Sequence, residues 1–149
     1  VSSGTEKKLL DKIKQLPQQG LPLENTSFDW LLQPSRSKAG IYATPDGKSI
    51  LLSNGMVARM FRVLPNLSTL DIFNRMTGES MLRAVSSEGS LTIGGKRWEL
   101  GGWPASPTRG YFQMEWVDQM TTRPGSFLIE DFRIEELQED IKWARSRWH

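Results

Sequence analysis

The sequence predicts an all-β domain, an antiparallel β-sandwich with an amphipathic helix in front of it. Three observations carry that reading. Asn54-Gly55 separates the apolar runs 50–53 and 56–63, and Asn-Gly between such runs marks a hairpin because both residues accept positive φ. Gly94-Gly95 repeats the pattern between Leu91-Thr92-Ile93 and Arg97-Trp98-Glu99-Leu100. Residues 56–64 also carry Met56, Ala58 and Met60 on one face and Val57, Phe61 and Val63 on the other. A strand apolar on both faces is covered on both faces, which implies stacked sheets.

The elements follow in order. Ser3-Gly4-Thr5-Glu6 has capping-box spacing, and Leu9, Leu10, Ile13 and Leu16 share one helical face. A helix over 5–16 results, ended by Pro17. Residues 18–23 read as a linker. Phe28, Trp30, Leu31 and Leu32 form a short apolar knot expected to pack on the body, and 33–40 is a polar loop. Pro45-Asp46-Gly47 supplies a turn near the first strand, which starts at Ile41. Strands are expected over 48–53, 56–64, 69–74, 79–85, 91–93 and 96–100. A Gly- and Pro-rich loop covers 101–110. Phe112, Met114, Trp116 and Met120 alternate with polar residues as in a half-buried strand, and 126–134 reads as another after Arg123-Pro124-Gly125.

Leu137, Ile141, Ala144 and Trp148 in the tail fit a helix, with acidic residues early and basic ones late. An extended connector to a further domain is the alternative. The organisation is thus a helix and linker over 1–40, a β-sandwich over 41–135, and a C-terminal helix or connector over 136–149.

Composition narrows the function classes. The chain has 149 residues, 38% hydrophobic and 24% charged, as in an ordinary globular domain. Its net charge of +2 comes from 19 basic and 17 acidic residues, interspersed. Without a basic stripe no nucleic-acid partner is expected, and without a long apolar run no membrane span. The chain opens Val1-Ser2-Ser3, as a processed or excised polypeptide would, which leaves a removed signal peptide open. Cysteine is absent, which removes disulfides, thiol chemistry and zinc-thiolate sites. The triplets Asn25-Thr26-Ser27 and Asn66-Leu67-Ser68 match glycosylation acceptors, a pattern short enough to arise by chance.

The chemistry-bearing residues are few. The single histidine, His149, ends the chain, so Ser/His or Cys/His catalysis lacks a placed base. Neither Gly94-Gly95 nor Gly101-Gly102 opens a helix, so neither reads as a phosphate cradle. Paired carboxylates of the glycosidase kind would have to come from Asp71, Glu79, Glu99, Glu115, Asp118, Glu130 or Asp131, and spacing alone pairs none of them. Sugar rings stack on indole, and Trp103 between Gly102 and Pro104 is the first candidate for such a loop platform. Trp98 and Trp116 fit a strand core, with Trp116 kept as a second ligand candidate; Trp30, Trp143 and Trp148 fit packing. Arg59 interrupts an apolar strand, so it either pairs with a carboxylate such as Asp71 or Glu79 or meets a ligand.

A family pattern runs through residues 51–102: Leu51-Leu52-Ser53-Asn54-Gly55-Met56-Val57-Ala58-Arg59-Met60-Phe61, then Thr69-Leu70 with Asn74, Thr77-Gly78-Glu79, Ile93-Gly94-Gly95 and Leu100-Gly101-Gly102. This resembles the N-terminal β-supersandwich domain that precedes the catalytic barrel in α-galactosidase-type glycoside hydrolases, within the galactose-mutarotase-like group. The resemblance implies an accessory domain of a large secreted, periplasmic or cell-surface carbohydrate-acting protein. Such a domain packs on the adjacent catalytic domain and sometimes lends a loop aromatic to the sugar pocket. The N-terminal helix, the knot and a helical tail depart from the pattern. No family catalytic residue maps onto this chain, and no cofactor is implied. The expected function is a non-catalytic module with carbohydrate or the catalytic domain as partner. Its rivals are a protein-interaction module with an exposed aromatic patch, and a small enzyme acting through paired carboxylates.

Overall fold

The computed structural model describes residues 2–21, 23, 29, 31–33, 39–81, 85–104, 113–136 and 138. Helix α1 spans Ser3–Lys14. Its cap is Ser2, whose hydroxyl accepts the Thr5 N–H at 3.3 Å, so the capping pattern starts one residue before the expected Ser3. Glu6 in the first turn and Lys12 and Lys14 in the last complement the helix dipole. The Leu16 N–H bonds the Ile13 carbonyl at 3.0 Å just before Pro17 stops the turn.

Five antiparallel strands follow as a meander, β1 Gly40–Ala43, β2 Ser49–Ser53, β3 Val57–Arg62, β4 Ser68–Asn74 and β5 Glu79–Ser80, in that order across the sheet. The β2–β3 turn holds together through Asn54, whose side-chain oxygen accepts the Met56 and Val57 N–H groups at 2.9 and 2.8 Å. A separate two-stranded sheet is made by β6 Gly89–Ile93 and β7 Lys96–Leu100. Ile93 pairs with Lys96, which leaves Gly94-Gly95 as a two-residue turn with φ of 58° and 76°. Positive φ at both positions is what a type I′ turn requires.

Residues paired across an antiparallel ladder share a face. Ile41, Ala43, Ile50, Leu52, Arg59 and Phe61 therefore lie on one face of the large sheet. Tyr42, Ser49, Leu51, Ala58, Met60 and Arg62 lie on the other. Both faces are covered, as the apolar pattern of β3 demands. Leu9 and Ile13 of α1 pack against Ala43, Ile50 and Val63 on the first face, joined by Ile129 and Phe132. On the second, Leu70, Trp103 and Val117 form a cluster with Met60 and Met120. The register slips by one residue between Met60 and Phe61, so Leu70 of β4 is left over. That bulge residue is buried in the second cluster.

Several expected elements differ. Within the expected strand 111–120, Met114–Gln119 is a 3-10 helix. Met114, Val117 and Met120 recur every three residues, which stacks them along one side of a three-residue-per-turn helix, and this spacing prevails over the alternation. Residues 126–134 make one bridge, Phe127 to Leu100, and are otherwise outside any ladder. The expected strand 79–85 shrinks to Glu79–Ser80 among the described residues. Leu31 and Leu32 are 70% and 79% exposed, so they do not pack on the body. Asp29 instead folds them into a local turn by accepting the Leu31 N–H at 2.9 Å. Phe28 and Trp30 of that knot, and the tail helix with Trp143 and Trp148, lie outside the described residues.

Segment 126–134 is tied to α1 by charge. Asp131 accepts hydrogen bonds from Lys12 and, at 2.9 Å, from Lys8, while Lys12 also donates to the Phe132 carbonyl at 3.0 Å. The bonds from Lys12 and then Lys8 hold the Asp131 carboxyl well below the usual carboxylate range. A depressed folded-state pKa stabilises the fold fully above the unfolded value of about 3.9 and loses that contribution progressively as pH falls from there toward the lower folded value. Thermal midpoints should therefore decline below about pH 4, and Asp131→Asn should flatten part of that decline. Melting curves of both proteins between pH 3 and 7 test this.

Candidate functional site

Trp103 is not a loop platform. It is 1% exposed, and its indole N–H donates to the Asn66 carbonyl at 3.0 Å. The glycines that would project it outward act in the opposite sense. Gly101 and Gly102 have φ of 62° and 79°, and a Cβ on Gly102 would lie 2.6 Å from the Ser87 Cα. Only bare backbone fits there, and with the Gly102 N–H bonded to the Leu67 carbonyl at 2.7 Å the chain turns the indole into the body. Trp116 sits half-buried on the 3-10 helix rather than on a strand. Arg59 lies on the opposite face of the sheet from the Trp103 cluster. The three expected ligand residues do not converge on one site.

Arg59 is an ion-paired residue, with a partner different from the ones expected. Its Nη2 donates to Glu88 at 2.6 Å, and Nε and Nη2 donate to the Thr69 hydroxyl at 3.1 and 2.8 Å. The guanidinium lies 4.4 Å from the Phe61 ring centroid, within cation–π range. Asp71 instead accepts from Ser80, and Glu79 from Thr77. The side chain of Arg59 is 44% exposed, so it is a surface pair flanking the sheet, not a buried charge.

The buried arginine is its neighbour Arg62, at 6% exposure, which the sequence reading passed over. Its Nη1 donates to Asp46 at 3.1 Å, Nη2 to Asp118, and Nε to the Leu64 carbonyl at 3.2 Å. Burial acts to raise the Asp46 pKa, but bonds from Thr44 and the Lys48 N–H, with the Arg62 charge, hold it below the usual value. Arg62 thereby ties the 45–47 turn and the 3-10 helix to β3. The same charge logic applied to Arg59 would have found it, since both interrupt one apolar strand.

Five of the seven carboxylates named for acid–base work have partners within the fold, Asp71 and Glu79 among them. Asp118 holds Arg62 and Lys48, Asp131 holds α1, and Glu99 accepts from the Ser87 hydroxyl, which keeps it below the usual range. Among the described residues no group of three or more His, Asp or Glu is placed to hold a metal ion. No helix among them is long and apolar enough to cross a membrane.

A recess with an apolar lining lies elsewhere. A cleft of about 500 Å³ runs between the first sheet face, with Ile50, Leu52 and Phe61, and segment 127–134, with Phe127, Ile129 and Phe132. Leu100 closes it from the hairpin sheet. Its size falls within the range of ligand and domain-packing sites. No protein family, no curated protein and no solved structure matches this chain.

The geometry makes Trp103 a core residue with a measurable cost. Trp103→Ala should lower the unfolding free energy by about 3–5 kcal/mol, the usual loss for a large buried aromatic. Urea titration followed by circular dichroism reads it, and a loss below about 1 kcal/mol would mean the indole is not core.

Proposed function

We propose that the chain is a non-catalytic β-sandwich-type module of a carbohydrate-acting protein, built to pack against a neighbouring catalytic module. The observation that carries this reading is where its ionisable groups are used. Arg62 with Asp46 and Asp118, Arg59 with Glu88, and Lys8 and Lys12 with Asp131 each join separate elements of the fold. Groups spent on architecture leave little for proton transfer, which requires a carboxyl poised to gain and lose a proton. The resemblance over residues 51–102 supplies the carbohydrate context.

The two sheets support the sandwich reading. The apolar face of the hairpin carries Leu91, Trp98 and Leu100, and that of the large sheet carries Leu52 and Phe61. Leu100, Leu52 and Phe61 border the same cleft, as inner faces of a layered domain do. Exposed apolar side chains at Leu91, Ile93, Phe127 and Leu128 favour a packing role and keep a protein-interaction module as the second reading.

Aryl glycosides offered to the isolated chain should turn over at the rate of the buffer alone, and Glu115→Gln and Asp118→Asn should change nothing in that assay. Turnover above background that either substitution abolishes would replace the scaffold reading with an enzymatic one.

A further inference from the structure

The apolar cleft does not end at the sheet. Ile41 and Leu52 also line a second recess, of about 640 Å³, whose other walls include Asn54, Val57, Arg59 and Glu135. The two recesses adjoin at Ile41 and Leu52 on the first sheet face, the one apolar toward Phe61 and Phe132, the other carrying the polar groups of Asn54, Arg59 and Glu135. Arg59 stands where they meet, since its guanidinium rests on Phe61, a lining residue of the apolar chamber.

Two donors at the polar end are uncommitted among the described residues. Arg59 uses Nε and Nη2 on Thr69 and Glu88, which leaves Nη1; Asn54 uses its side-chain oxygen on the turn, which leaves its amide nitrogen. Glu135 supplies an acceptor on the same rim. The charges around the two recesses cancel in place: Arg59 against Glu88 at 2.6 Å, Lys8 and Lys12 against Asp131, and Arg133 against Glu135 at 3.9 Å. An ionic ligand would have to break one of these pairs, whereas hydroxyl groups can use the remaining donors and acceptor without doing so.

We infer that the groove made by these adjoining recesses binds an uncharged amphipathic small molecule, its apolar chain in the chamber and its hydroxyl-bearing end at Asn54, Arg59 and Glu135. This goes beyond the scaffold role and stands or falls apart from it. The chamber excludes water from an alkyl chain, so the apolar part drives binding and the polar rim sets orientation.

The test uses the whole chain, labelled with nitrogen-15, and three probes: n-octyl β-glucoside below its micelle threshold, glucose, and 1-octanol. The octyl glucoside should give saturable shifts on the Leu52, Phe61 and Phe127 amides. Its dissociation constant should be at least about tenfold lower than that of either probe alone. Leu52→Glu on the floor and Leu128→Glu on the opposite wall should each raise it by about tenfold or more, with the circular dichroism spectrum unchanged. No saturable shift, glucose binding as tightly as the glucoside, or octanol doing so would each overturn the inference. Concentration-dependent dimerisation abolished by Leu52→Glu would overturn it too, by assigning the groove to a second copy of the chain.

Discussion

The structure depends on one buried amide. Asn66 is fully buried, and its side chain donates to the Phe127 carbonyl at 3.0 Å and accepts the Leu67 and Ile129 N–H groups, both at 3.0 Å. Its own carbonyl accepts the Trp103 indole. A buried side chain with these bonds satisfied adds stability, but its larger effect is to specify geometry, because each lost bond would leave a polar group dry. Through Asn66 the β3–β4 connection grips both the Gly-Gly loop that carries Trp103 and the segment that covers the first sheet face. A triplet that reads as a glycosylation acceptor is in fact an internal staple.

That staple explains how segments that are not strands help to cover a sheet apolar on both sides. Segment 126–134 lacks a continuous ladder, so its attachment comes from particular contacts: Phe127 with Glu99 and Gly101, Ile129 with Asn66, and Asp131 with α1. Side chains thus do for this segment what backbone pairing does for a strand. On the other face Arg62 performs the equivalent task for the 3-10 helix through Asp118. Cover of this kind closes most of the core and leaves the groove between sheet and segment open.

Local chemistry was legible in the sequence, and long-range attachment was not. The α1 face, the Gly94-Gly95 turn and four of the longer strands follow from periodicity and positive-φ glycines; in the Asn54-Gly55 hairpin only Gly55 takes positive φ, and Asn54 acts through its side-chain oxygen instead. Gly and Pro flanks at Trp103 say that the backbone bends, but not toward which side. The alternation at 112–120 and the run at 126–134 each fit a strand, yet a strand needs a free edge to pair with, and no local pattern shows whether one is available. Arg59 and Arg62 look alike in sequence; only the ladder, which sends them to opposite faces, separates the half-exposed pair from the buried one.

The functional reading inherits that division. Composition and spacing left the carboxylates as an open question, and five of the seven, Asp71, Glu79, Glu99, Asp118 and Asp131, have partners within the fold. The most direct measurement of the account is hydrogen exchange at the Ile129 amide, whose acceptor is the Asn66 side chain and not a neighbouring strand. If the amide staple organises the fold, Ile129 exchanges as slowly as the central β2–β3 ladder, through global opening alone. Exchange at the rate of an unstructured peptide, with that ladder still protected, would contradict it.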